Sequence, residues 1–333
     1  MTTAPSDVPE LQMNALYDMR QQYLAGNVER ANLRQDLTRA AMSLRAFQRA
    51  IADTAVSEIR ISGAGLIATF ASGLKMHWNP EDLGSAPNIA FIHGGYEQEE
   101  TKLLTELSRD KTTVLDIGAN VGWFALHIAS VLSGADRKIY AFEPIPRTYS
   151  RIVENVELNK MSDVIKVSRL GFSDQKGETT FYVPMSSGPS AASIRNLHPE
   201  EVTEPVVCSL NTVDDFLTEN DIRQVDLVKC DVEGAELLVL NGARSMLEHQ
   251  RPVLFLELLR KWSREFGYHP NAVIELLAGY GYACWAVGKG STRPIESIEE
   301  ETVETNFLFL THAHARERNV LTALGSKQGS HDE

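Results

Sequence analysis

The 333-residue chain has little cysteine: Cys208, Cys230 and Cys284 are the only three, and their spacing matches no metal-binding pattern. An odd number of thiols, each inside an expected strand, argues against a disulfide framework and fits a reducing compartment. No apolar run approaches the roughly 20 residues that cross a bilayer. The opening MTTAPSDVPELQ lacks the charged-then-apolar pattern of a secretion signal. The expectation is therefore a cytoplasmic protein with no membrane span. Positive charge is also scarce. With 32 Lys and Arg against 45 Asp and Glu, the formal net charge is −13, and the cations are scattered among acidic residues. Such a chain repels phosphate backbones, so nucleic acid is not an expected partner. What is present, 43% hydrophobic and 23% charged residues, suits a substantial core. The length fits one large α/β domain with an appendage.

Periodicity divides the chain. Leu33, Leu37, Ala40, Leu44, Phe47 and Ile51 recur at spacings of three and four, which predicts an amphipathic helix within residues 8–52, interrupted at Gly26-Asn27. Its apolar stripe could pack on the same chain or pair two copies, making a homo-oligomer through these helices an expectation. From Val56 to Trp78 the period becomes two, with turns at Ser62-Gly63 and Ser72-Gly73, which predicts a small antiparallel meander. Residues 79–95 read as loop. Beyond them, apolar strands (Thr113–Ile117, Ile139–Phe142, Val164–Leu170, Asp226–Cys230, Val253–Leu256) alternate with helical patterns at Trp123–Leu132, Arg147–Asn159 and Ala235–Leu247. Nearly all-apolar strands with crossover helices predict a parallel sheet covered on both faces. A hairpin (Thr179–Val183 and Val206–Leu210) interrupts this order and encloses a Ser/Gly/Pro-rich loop from Met185 to Glu200. Final strands are expected near Cys284–Val287 and Phe307–Leu310. The expected segments are 1–55 helical, 56–95 meander and approach loop, 96–324 the main domain, and 325–333 a disordered tail.

The sharpest chemical signal is Val114-Leu-Asp-Ile-Gly-Ala-Asn-Val-Gly122, a buried strand entering a glycine loop and then a helix. Gly118 and Gly122 permit close backbone approach of a ligand at a helix N-terminus. Their G-x-x-x-G spacing departs from the G-x-G-x-x-G of dinucleotide folds. Asp116 disfavours a pyrophosphate there and suits an ammonium-bearing ligand, such as the methionine part of S-adenosylmethionine. About twenty residues on, Glu143 ends the next strand in Ala141-Phe-Glu-Pro144, where a carboxylate can grip a ribose diol. Phe172, Ser173 and Asp174 follow the third strand, where an adenine would lie; Asp174 is equally good turn chemistry. Asp231, Glu233 and Glu236 leave the fourth strand in Val228-Lys-Cys-Asp-Val-Glu-Gly-Ala-Glu236, at the edge where open α/β sheets place ligands. Glu236 fits the first turn of a helix; Asp231 has no such explanation. Glu257 ends the neighbouring strand.

These segments (DIGANVG, FEP, GFSDQKG and KCDVEGAELLVL, preceded by GGYEQEE) resemble the FkbM family of S-adenosylmethionine-dependent methyltransferases over about residues 90–258. The resemblance implies the class I methyltransferase (Rossmann-like) α/β fold: a seven-stranded, mostly parallel sheet whose last strand is antiparallel. Here it would carry the N-terminal helical segment and the meander. It also implies O-methylation of a hydroxyl on a small-molecule or glycan acceptor, a sugar or glycan intermediate or a natural product, with S-adenosylhomocysteine as product. Asp116, Gly118, Asn120, Gly122 and Glu143 become cofactor residues, with Tyr96 and Glu97 close by. Asp231, Glu233 and Glu257 are the expected catalytic carboxylates. A metal-free route is preferred to a magnesium-like ion held by Asp231 and Glu257, because two carboxylates are a minimal ligand set. Of the histidines, His93, His198 and His269 are base candidates without a diagnostic motif. The rival readings are a nicotinamide-dependent oxidoreductase, which fails on glycine spacing, and an inactive cofactor-binding scaffold, which leaves the Asp231–Glu233 pair unexplained.

Overall fold

The computed structural model describes residues 15–317, apart from 64, 81, 133 and 135, together with 320 and 324; the expected tail at 325–333 lies outside the described residues. Met1–Thr54 and Ala55–Glu333 form separate compact units. In the first, helices Ala15–Leu24 and Arg30–Ala50 are separated at Gly26, whose φ of 77° breaks the helical path. The longer helix buries none of its residues, and Leu37, Met42 and Leu44 are exposed.

The second unit opens with the meander: β1 (Val56–Ser62), β2 (Gly65–Phe70) and β3 (Lys75–Trp78), paired antiparallel in that order. The meander is fastened to the main domain. The β3 amides of Lys75 and His77 donate to Asn159 Oδ1 (2.9 Å) and Asn155 Oδ1 (2.8 Å) on the helix Pro146–Leu158. Residues 79–95 are not all loop. They contain a helix, Ala86–His93, with Pro87 in its first turn, where proline's missing N–H costs nothing. Asn88 holds this helix in place: its side chain donates to the carbonyls of Asn79 and Asp82 and accepts from Trp78 Nε1, all at 2.6 Å. Proline and glycine density hid the helix from the periodicity reading.

Strands β4 (Thr113–Ile117), β5 (Lys138–Phe142) and β6 (Ile165–Ser168) come next, followed by β7 (Gly171–Phe172), β8 (Gly177–Pro184) and β9 (Thr203–Asn211). After them run β10 (Leu227–Cys230), β11 (Val253–Glu257), β12 (Tyr282–Gly288), β13 (Ser291–Ile295) and β14 (Asn306–Thr311). The main sheet has the order β13-β12-β14-β11-β10-β4-β5-β6. From β6 to β11 neighbours are parallel, and β14 inserts antiparallel between β11 and β12. The sheet has eight strands where seven were expected. The extra one, β13, folds back on β12 through Lys289-Gly290, with Gly290 at φ 74°, a two-residue hairpin turn. The expected third strand is shorter than Val164–Leu170: at Gly171 the chain leaves for a second sheet, β7-β9-β8, built around the anticipated hairpin. The expected helix Ala235–Leu247 is interrupted. It runs from Glu236 to Asn241 and breaks at Gly242, which packs so tightly on Ser173 that a Cβ there would sit 2.1 Å from its carbonyl oxygen. A π-helical turn, Met246–Gln250, follows.

Leu115, Ile117, Val228, Leu254, Leu256, Phe307 and Phe309 form the buried spine of the sheet, and all three cysteines are buried and free. Among the described residues no helix is long and apolar enough to cross a membrane. Chain direction reverses its progress across the sheet between β4 and β10, so the loops that follow these two strands diverge and leave a crevice.

Candidate functional site

Each loop that leaves the carboxyl edge of the parallel strands is held by a specific contact. After β4, Gly118 adopts φ 77°, and a Cβ there would lie 1.8 Å from the Asp231 carbonyl oxygen, so only glycine lets the β4 and β10 loops meet. Asn120 follows at φ 49°, and its amide donates to Glu143 Oε2 at 3.1 Å. Glu143 Oε1 accepts from the Ile145 amide at 2.9 Å. After β10, the turn Asp231–Ala235 closes on Glu236, whose Oε1 accepts from the amides of Val232 (3.1 Å) and Gly234 (3.2 Å) while Tyr268 donates to Oε2 (3.2 Å). Glu236 therefore organises the loop, as its position at the helix start suggested.

Between these loops lies a cavity of about 320 Å³, within the range of small-molecule sites. Five carboxylates line it, those of Glu97, Glu143, Asp231, Glu233 and Glu257, and among the described residues no lysine or arginine does. The nearest cation lies underneath. Lys229 of β10 is 3% exposed; its Nζ sits 3.6 Å from Asp116 and 3.3 Å from Asp231, and donates to the Gly118 carbonyl at 2.9 Å. Burial works to lower the Lys229 pKa, but Asp231, Asp116 and Glu97 outweigh it and hold the ammonium charged.

One cation cannot balance so many acids. Burial, then the charge of Asp231, raises Glu97 to about 7. Burial raises Glu143 to about 7 against the pull of its two amide donors. Glu233 and Glu257 rise well above the ordinary carboxylate range, through burial first and the charge of Asp231 second. Carboxylate oxygens of Asp231, Glu233 and Glu257 all lie within 4.8 Å of one another, so a third ligand joins the pair weighed from sequence as a metal site.

The structure brings together Tyr96, Glu97, Gly118, Asn120, Glu143, Phe172, Asp231, Glu233 and Glu257 around this cavity. It leaves four expected cofactor residues off the lining. Asp116 is fully buried below the loop, 3.6 Å from the Lys229 ammonium, and does not line the cavity. Gly122 makes room for a helix: its Cβ would lie 2.8 Å from Ile152 Cγ1. Ser173 is buried and bonded to its neighbour, Oγ to Asp174 Oδ1 at 3.1 Å, and Asp174 is an exposed turn residue. Phe172 reaches the cavity from an aromatic cluster with Phe142 and Phe216, ring centroids 4.6 and 5.8 Å away.

Of the three histidines, His198 alone lines the cavity; His93 and His269 are exposed elsewhere. Its ring meets Trp262 edge-on at 5.1 Å, and its Nε2 is buried without a hydrogen-bond partner. Pro189, Ser190 and Ile194 of the loop after β8 add a wall, and Ser193 Oγ ties that loop down by donating to the Glu233 carbonyl at 3.0 Å. Sequence reading missed Lys229 and Trp262. The first stood in a quoted motif, where a lysine inside an otherwise apolar strand between two aspartates was the available signal.

A model of the methyltransferase FkbM domain matches residues 116–284, from β4 under the glycine loop to β12. The chain belongs to the FkbM methyltransferase family. Its similarity to a hexuronic acid methyltransferase of Haloferax volcanii is 26% identity over 53% of this chain and 68% of that protein. To a methyltransferase of Beauveria bassiana it is 34% over 40% of this chain, spanning only 59% of that protein. A 2-O-methyltransferase of Sinorhizobium fredii is 27% identical over 54% of this chain and 76% of its own length. Among solved structures, an FkbM methyltransferase from Methylobacillus flagellatus aligns with a TM-score of 0.35 at 16% identity, over 61% of this chain and 44% of that one. As an FkbM methyltransferase, this chain keeps its acidic cavity at the strand edge where the family match begins.

Proposed function

We propose that this FkbM methyltransferase uses S-adenosylmethionine to methylate a hydroxyl oxygen of a sugar, glycan intermediate or similar small molecule. The observation that carries the reading is the cavity lining: five carboxylates and, among the described residues, no lysine or arginine. Such a lining suits a ligand bearing a sulfonium and an ammonium, and it repels the pyrophosphate of a nicotinamide cofactor. Bound there, S-adenosylmethionine supplies an electrophilic methyl group on sulfur.

The chain's own residues then divide the work. Glu143, fixed by two amide donors, keeps lone pairs for a ribose diol. Gly118 and Asn120 offer backbone at the loop that faces the cavity. Asp116 acts one layer down, by holding Lys229 and through it the Gly118 carbonyl. At the other end, a hydroxyl is a weak nucleophile, and Asp231 is placed to take its proton as the oxygen bonds to carbon and sulfur keeps the electron pair of the broken bond. Glu233 and Glu257, both held toward their neutral forms, can relay that proton, each passing on its own as it takes one up. The hexuronic acid methyltransferase among its relatives supports a sugar acceptor, and the 2-O-methyltransferase supports transfer to oxygen.

The test is transfer of tritium from methyl-labelled S-adenosylmethionine to a panel of uronates, sugar phosphates and neutral glycosides. NADH oxidation is followed in parallel. Label in an acid- and base-stable ether supports the reading; cofactor-dependent redox without methyl transfer overturns it.

A further inference from the structure

Directly after Glu143-Pro144 the chain enters the helix Pro146–Leu158, whose first turn holds Arg147 and Thr148 and no acidic residue, with no side-chain cap. A cation at that end opposes the helix dipole. Arg151 stands one turn further along the same face. Among the described residues neither arginine has a carboxylate within ion-pair distance of 4.0 Å, although the charges of both act on Asp82 across the pocket and oppose the rise that burial gives its pKa. Thr148 is 3% exposed, yet its Oγ1 is buried with no hydrogen-bond partner. Across from it, Asp82 Oδ1 is likewise buried and unpartnered. These groups share a pocket of about 200 Å³, closed on its third side by Met185, Ser186 and Gly188 of the loop after β8. The pocket meets the main cavity at Pro189, which lines both.

A buried hydroxyl and carboxylate oxygen left unpaired destabilise the fold unless something occupies the space. Water can fill a polar pocket of this size, but water does not account for two guanidinium groups at a helix N-terminus. That pairing recognises oxyanions, with arginine suited to bidentate binding of carboxylate or phosphate. Asp82 accepts hydroxyl protons, and Thr148 can donate or accept. An oxyanion flanked by hydroxyls is the chemistry of an acidic sugar.

We propose that this pocket is the second half of the acceptor site and binds the oxyanion of a sugar carrying a carboxylate or a phosphate. The idea rests on the reading of the main cavity as a sugar O-methyltransferase site. Arg147 and Arg151 hold the anion, Asp82 and Thr148 hold neighbouring hydroxyls, and the loop after β8 closes over both compartments.

Calorimetric titration of the full-length chain with D-glucuronate, D-glucose 1-phosphate and D-glucose tests this, with and without S-adenosylhomocysteine. At least one anionic sugar should bind about tenfold or more tighter than glucose. Tighter glucuronate assigns the carboxylate source, tighter glucose 1-phosphate the phosphate source. The Arg147→Gln/Arg151→Gln variant should lose that preference and keep its affinity for S-adenosylhomocysteine; both side chains reach solvent, so the fold tolerates the change. Thr148→Val, nearly isosteric, should weaken the favoured sugar as well. Equal binding of all three sugars, or a preference untouched by the double variant, overturns the proposal. Failure of the wild-type chain to bind S-adenosylhomocysteine would instead strike the cofactor reading, and the sugar titrations without it stand separately.

Discussion

The ammonium of Lys229 lies 3.6 Å from the carboxylate of Asp116, both at the centre of the sheet and both almost fully buried. Asp231 completes the group on the cavity side at 3.3 Å. The pair ties β4 to β10 at the point where the two strands diverge, and it sets the charge of the cavity floor. Removing one member of a buried pair strands the other, at about 3–5 kcal/mol. Lys229→Met should therefore be strongly destabilised in chemical denaturation. Lys229→Met combined with Asp116→Asn should recover part of that loss. A single variant as stable as the wild type would mean the lysine is not charged in the folded chain.

Glu143→Ala removes the carboxylate proposed to face the ribose. Hydrogen bonds to a charged group are worth about 1.5–3 kcal/mol, so affinity for S-adenosylhomocysteine should fall at least about tenfold. The calorimetric comparison must include a melting curve, because the same carboxylate accepts the Asn120 and Ile145 amides. Unchanged affinity would remove Glu143 from the cofactor site.

Asp231→Asn keeps the shape of the strand end and removes the base. Turnover should drop by about a hundredfold or more, with S-adenosylhomocysteine still bound. Wild-type turnover would refute the role. A chelator added to the wild-type enzyme checks the metal alternative raised by the triad with Glu233 and Glu257; lost activity, restored by magnesium, would replace the metal-free route.

The raised carboxyls make the empty protein sensitive to pH. Glu97, Glu143 and Glu236 each sit at about 7 in the folded chain against 4.5 in their ordinary state. Between these values the folded state binds more protons than the unfolded one, so stability falls as pH rises from about 4.5 to about 7. Carboxylates with lowered values, such as Asp226 and Glu304, act below this window and in the opposite sense. The buried histidines His127 and His314, lowered by desolvation, oppose the trend inside it but are fewer than the raised carboxyls. The melting temperature of the ligand-free chain should decline between pH 5.5 and 7.5, and S-adenosylmethionine should restore most of it near neutrality. A melting temperature rising through that interval would contradict the buried-acid picture.

Leu37 and Leu44 are exposed about two turns apart on a helix that buries nothing within its own unit. Exposed stripes of this kind mark association surfaces. If the helices pair two copies, Leu37→Glu/Leu44→Glu should halve the molar mass in light scattering and leave the melting of the main unit unchanged. Equal mass for variant and wild type would dismiss the pairing.

The sequence alone determined what is local. A glycine loop after an apolar strand, Glu143 at the next strand end and Asp231 at the fourth could be read because period, turn chemistry and strand-end position are written in consecutive residues. Parallel order followed from strands apolar on both faces. What only the tertiary structure decided are meetings between distant segments. Asp116 reads from its motif as a cofactor ligand; the structure adds a partner 113 positions later, Lys229, because β4 and β10 pair in the register that sets the two side by side. Gly122 reads as a ligand glycine, yet its missing side chain is filled by Ile152. Ser173 and Asp174 fall away from the cavity because the chain changes sheets at Gly171. Trp262 and the pocket of Asp82, Thr148 and Arg151 carry no local mark at all, and His198 stands out in sequence no more than His93 or His269. Their chemistry arises from enclosure, which removes water and leaves polar atoms to face one another, and enclosure is a property of packing.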